Sequence, residues 1–115
     1  MKTVAYHWRH QYGWRQWEAR LNIFSNYNTA LGWQMVHFIL EPGSGACPVP
    51  LLLTHGWPGS VVEFIDVEKL AHPERSGGRV EPAFTVVVPS LPGYGFSDAP
   101  ERVIGPLILP LCGRD

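Results

Sequence analysis

The chain has 115 residues, 45% of them hydrophobic and 17% charged, with a formal charge of −1. That is one modest domain or a part of a larger one, globular in composition and able to bury roughly 65% of its extended surface if its elements are complete. Near-neutral charge with scattered Arg excludes a nucleic-acid stripe and an anionic-membrane anchor.

Residues 1–12 mix aromatic and basic side chains without a clear period. Met1-Lys2-Thr3-Val4-Ala5 leads into Tyr, His, Trp and Arg, which is not the apolar core of a secretion signal. From Gly13 the pattern turns helical: Trp14, Trp17 and Leu21 recur at i, i+3 and i+7, as in a surface helix laying two indoles on a neighbour. Tyr27–Leu31 and Trp33–Leu40 read as two strands turning at Gly32. His37, inside the second, has the setting of a hydrogen-bonded structural residue. Glu41–Pro50 is a loop by composition.

Leu51-Leu52-Leu53-Thr54 is apolar, as in a strand covered on both faces. The turn His55-Gly56-Trp57-Pro58-Gly59 follows at once. Ser60-Val61-Val62-Glu63 then matches a capping box, opening a helix whose Val61, Phe64, Val67 and Ala71 face the sheet. His72-Pro73 ends that helix, because Pro lacks the next donor and restricts its predecessor. After a polar loop with Gly77-Gly78, Phe84–Val88 forms a second buried strand.

Strand, helix and strand over 51–88 make a right-handed crossover with a parallel pair, so the class is α/β behind an antiparallel hairpin. Residues 1–100 form one region. Residues 101–115, broken by Pro106 and Pro110, read as a divergent, poorly ordered tail. No run reaches the length of a membrane span. Cys47 and Cys112 have neither metal-ligand nor disulfide-framework spacing. They read as free thiols of a reducing compartment, and the expected location is cytoplasmic.

A strand ending in Gly-Trp-Pro-Gly aims backbone N–H groups at the carboxyl edge of a sheet, where developing negative charge can be held. Such a turn needs a nucleophile beside it. Gly95-Phe96-Ser97-Asp98-Ala99 comes nearest to a nucleophile elbow, yet it does not join a strand directly to a helix, so Ser97 and Asp98 read as turn residues. Asp66 meets the same objection, and Asp115 is the terminal residue. His55 reads as a loop-bonding residue and Tyr94 as a packing ring. No residue is therefore assigned as catalytic, and no metal site is expected.

Four motifs in order carry a family resemblance: Tyr12-Gly13-Trp14-Arg15 with Glu18-Ala19-Arg20-Leu21-Asn22; Val36-His37-Phe38-Ile39; Pro50–Ser60 followed by Glu63-Phe64; and Pro89-Ser90-Leu91-Pro92-Gly93-Tyr94-Gly95-Phe96-Ser97. Together they resemble the N-terminal part of epoxide hydrolases of the microsomal type. The resemblance implies an incomplete α/β-hydrolase fold: N-terminal helix, antiparallel hairpin, then parallel strands about a helix. It implies hydration of a small apolar epoxide to a vicinal diol through an Asp ester, with two lid tyrosines, a His–acid pair and no cofactor. It assigns the Trp57 N–H to the oxyanion hole, shaped by His55, Gly56, Pro58 and Gly59, and makes Trp57–Pro58 a candidate cis bond.

The family's Gly-rich elbow with Asp before Trp has no counterpart here, nor do the tyrosines or the His–acid pair. The expectation is a fragment inactive alone, with an open edge at Leu51–Thr54 able to pair with a partner. A non-catalytic binding fragment, or a different hydrolase such as an esterase or dehalogenase, are the alternatives.

Overall fold

The computed structural model describes residues 1–80 and 82–100. The tail expected over 101–115, with Cys112 and Asp115, lies outside the described residues.

The sheet is seeded by a tight hairpin. Strands β1 (Ser25–Leu31) and β2 (Gln34–Glu41) pair antiparallel from Ser25↔Leu40 to Leu31↔Gln34. The two-residue connection places Gly32 at φ 64°, where glycine has no steric cost. Strand β3 (Val49–Leu52) lies parallel to β4 (Phe84–Pro89), and β4 also pairs antiparallel with β2. The resulting order is β1-β2-β4-β3, so β3 is an edge.

Residues paired across a ladder share a face. His37, Ile39 and Glu41 on β2 therefore stand on the same side as Val86 and Val88 on β4 and Leu51 on β3. This face is covered. The expected long helix from Ser60 is divided into a 3-10 turn at Val61–Phe64 and a one-turn helix, α3 (Glu68–Ala71), and the run of β-branched residues there disfavours one regular helix. The anticipated apolar face survives the break. Val61, Val67 and Ala71 are buried, and Val61 and Val67 share a core with Phe24, Ile39, Val86 and Val88. His72 ends α3, and Pro73–Ser76 forms another 3-10 turn closed by Gly77 at φ 81°.

The opposite face, with Val36, Phe38, Leu52 and Val87, borders a groove of about 600 Å³ that no described element fills. The expectation of a β3 covered on both faces is therefore not met, and Leu52 is 65% exposed.

Two helices precede the sheet: α1 (Lys2–His10) and α2 (Trp14–Leu21). The first is not apparent in the sequence; neither helix buries a residue, and α2 is found only through the spacing of Trp14, Trp17 and Leu21. Trp14 and Trp17 of α2 stay partly exposed, and Arg20 lies over the Trp17 ring at 5.2 Å.

Candidate functional site

Because β3 and β4 run parallel, the segments that follow them leave the sheet side by side at its carboxyl edge, where ligands of open α/β sheets bind. The first is His55–Ser60. Its Trp57–Pro58 bond is cis. Gly59 has no room for a side chain, since a Cβ there would collide with Glu63 Oε1 and lie 3.0 Å from Gly56 O. Glu63 is held there by the capping box: Ser60 N–H donates to Glu63 Oε1 at 3.2 Å, and Ser60 Oγ accepts from Val62 N–H at 3.3 Å. The start of the helical segment thus sets the end of the turn.

His55, 3% exposed, sets the other end. Its Nδ1–H donates to Gly56 O at 3.1 Å, and its Nε2 accepts from Leu91 N–H at 3.1 Å. A carbonyl can only accept and an amide can only donate, so these partners assign the neutral Nδ1–H tautomer. With both nitrogens engaged, this imidazole braces the turn and has no free lone pair for a base. The Tyr94 ring packs edge-on against it, with centroids 5.2 Å apart. Trp57 is 83% exposed, and among the described residues its N–H has no hydrogen-bond acceptor.

The second segment, Ser90–Asp98, docks on β2. Asp98 N–H donates to Met35 O at 3.0 Å, while Asp98 Oδ2 accepts from Met35 N–H at 3.1 Å. Ser97 Oγ donates to Ser90 O at 2.6 Å and accepts from His37 N–H at 2.9 Å. The side chains of Ser97 and Asp98 are both committed to holding the loop. Asp66 lies apart, exposed and 3.4 Å from Lys69.

A cleft of about 420 Å³ opens between α2 and the capped segment that follows the turn, walled by Tyr12, Trp14, Trp17, Val62 and Phe96. Ser60 is its polar edge. The sequence does not announce the contributions of Asn26, Ser90 and the Leu91 amide. Their contacts span 11 to 53 positions along the chain, and no local pattern encodes them. Among the described residues no group of His, Cys, Asp and Glu is placed to hold a metal, and no helix is long and apolar enough to cross a membrane.

Comparison with known proteins identifies relatives of this chain. The family described as "Epoxide hydrolase N terminus" matches residues 1–64. A provisionally named epoxide hydrolase of Stigmatella aurantiaca (strain DW4/3-1) is 50% identical over 103 residues, covering 89% of this chain and 23% of that protein. Epoxide hydrolase 1 of Oryctolagus cuniculus is 37% identical over 107 residues, covering 89% and 24%. The solved Aspergillus niger epoxide hydrolase superposes with a TM-score of 0.71 at 39% identity, over 86% of this chain and 25% of that one. A Bradyrhizobium elkanii haloalkane dehalogenase reaches 0.50 at 22% identity, which shows the fold alone. The chain spans about a quarter of the length of these relatives.

Proposed function

This chain belongs to the epoxide hydrolase family, and from that premise we propose that it supplies the oxyanion half of an epoxide-hydrating site, the Trp57 N–H holding the negative charge that develops as an Asp ester is hydrolysed. The observation that carries this reading is the turn itself: a braced loop at the carboxyl edge of a parallel pair, with an unpartnered N–H at Trp57 among the described residues. His55, Gly56, Pro58 and Gly59 shape it. The apolar cleft beside Ser60 supports a small apolar epoxide as substrate. The 115-residue polypeptide alone has no turnover on this reading, since Ser97 and Asp98 are spent on the loop. No cofactor enters the proposed reaction.

The proposed cellular role is removal of reactive epoxides, in detoxification or catabolism of aromatic compounds. A reducing cytoplasm suits the exposed thiol of Cys47.

Three measurements test the proposal. Incubating the purified chain with styrene oxide should yield neither diol nor a covalent adduct by intact mass; either product would overturn the fragment reading. Joining residues 1–100 of this chain to the remainder of the Stigmatella relative should restore diol formation. An amide-to-ester replacement at Trp57, which deletes only its N–H, should then cost about 10²–10³ in kcat. Unchanged kcat would remove Trp57 from the oxyanion hole.

A second reading, a non-catalytic fragment pairing through β3, is favoured by one observation: the outer edge of β3 is unpaired among the described residues, with Val49 48% exposed. Co-purification with a full-length paralogue would favour it, and a clean monomer would weaken it.

A further inference from the structure

We infer that His37 is a positioning residue for the oxyanion turn, acting from the first hairpin through the Ser90–Leu91 junction. The inference rests on the reading of His55–Ser60 as an oxyanion turn for its consequence, though not for its geometry.

His37 is 3% exposed, and all four of its polar groups are used. Its carbonyl accepts from Ser90 N–H at 2.8 Å, and its own N–H donates to Ser97 Oγ at 2.9 Å. The imidazole carries the connection further. Asn26 Nδ2 donates to Phe24 O at 2.8 Å and Leu21 O at 3.2 Å, which fixes Asn26 Oδ1 as an acceptor. The His37 Nε2 lying 2.9 Å from that oxygen therefore bears the hydrogen. This leaves Nδ1 as the acceptor for the Ser90 hydroxyl, 2.9 Å away. The adjacent residue, Leu91, donates its N–H to His55 Nε2. Two neutral imidazoles with opposite tautomers are thus joined across a single peptide unit, His37 on the hairpin and His55 in the turn.

The loop between them gives each ring one aromatic partner. Phe96 meets His37 edge-on with centroids 5.1 Å apart, as Tyr94 meets His55 at 5.2 Å. Among the described residues His55 has no other side-chain partner of either kind. Releasing the Ser90 hydroxyl from the His37 ring leaves the Ser90–Leu91 junction held only through the Ser90 backbone, so the Leu91 amide that sets the His55 tautomer is less firmly placed.

The order Asn26–His37–Ser90 resembles a nucleophilic triad. It is not accessible as one, because Ser90 is fully buried and a Cβ at Gly95 would stand 2.7 Å from its hydroxyl. The chain of bonds transmits position.

Two near-isosteric variants separate the links. In H37N the amide oxygen takes the place of Nδ1 and keeps the Ser90 bond while losing Asn26. In H37Q the amide nitrogen takes the place of Nε2 and keeps Asn26 while losing the Ser90 hydroxyl; the backbone bond from Ser90 N–H remains in both variants. The readout is ¹⁵N NMR of the 115-residue chain: the His55 ring shifts, which report its tautomer, and hydrogen exchange at the Leu91 amide, with the His72 amide as a distant reference. H37N should preserve the Nδ1–H tautomer of His55. H37Q should mix the tautomers and speed Leu91 exchange about tenfold, with His72 unchanged. Wild-type behaviour of H37Q, or equal disturbance in both variants, would overturn the inference. Should H37Q fail to fold, Ser90→Ala cuts the same link and is held to the same outcomes. These signals lie on Leu91 and His55, so a Trp57 ester that keeps full turnover in the joined enzyme refutes the oxyanion reading and leaves the positioning result standing.

Discussion

Replacing Gly95 by alanine tests the loop at its tightest point. Gly95 sits at φ 53°, and a Cβ there would approach Ser90 Oγ to 2.7 Å and Ser90 Cβ to 3.4 Å. Two costs combine. The left-handed conformation costs a residue with a Cβ about 1–2 kcal/mol. Pushing the buried Ser90 hydroxyl from His37 leaves a buried acceptor without a donor, about 1–3 kcal/mol more. Gly32 separates the two terms: its φ of 64° is similar, and nothing lies within 4 Å of where a methyl group would stand. G32A should therefore lose only the conformational term, and G95A about 2–5 kcal/mol in all. Urea unfolding followed by tryptophan fluorescence measures both, with equal m values as the check that the unfolded states match. Equal losses in the two variants would refute the reasoning, because the contact with Ser90 would then contribute nothing.

Acidification gives a second test. Burial lowers the pKa of His37 from its ordinary 6.5, so below pH 6.5 the unfolded chain takes up a proton that the folded chain refuses. His37 thus contributes stability that is complete above pH 6.5 and lost as pH falls toward its folded value. Glu74 is lowered from 4.5 by its own backbone N–H, the Ser44 hydroxyl, His72 and Arg75, so its share goes only below pH 4.5. Between these pH values the unfolding midpoint of wild type should fall more steeply than that of H37N; parallel profiles would remove His37 from the acid response. A third test concerns the bare face. Leu52→Lys should reduce self-association in sedimentation while changing stability by no more than about 0.5 kcal/mol, and an unchanged oligomer distribution would count against that face as the adhesive surface.

The legible part of this fold is whatever depends on near neighbours. Gly32 between two strand-like runs announces the hairpin, and Ser60 with Glu63 announces the cap, because each works within a few residues. Val61, Val67 and Ala71 are recognisable as one buried face even though the helix carrying them is interrupted. Helix α1 is hidden because its mixed aromatic and basic residues offer no run like Trp14, Trp17 and Leu21 of α2, although neither helix buries a residue. The exposure of Leu52 sets its apolar run, which implies cover, against the open edge also expected at Leu51–Thr54, because a run shows what a strand prefers and not what packs on it. At the site, the turn is legible as a motif, whereas its bracing is not: the Leu91 amide bonds His55 from 36 positions away, and any residue except proline has that amide.

Strand β4 occupies the keystone position. It is the sole bridge among the described residues between the hairpin and β3, which never touch one another in the ladder. The 64 residues matching the family therefore end before the strand that unites them. On a ribosome, Leu40 waits for Val87, its ladder partner, and at 5–20 residues per second that delay lasts roughly 2–10 s. Throughout the interval Ile39 and its neighbours lack the strand they pack beside, so the hairpin stands with an open inner edge until β4 is made.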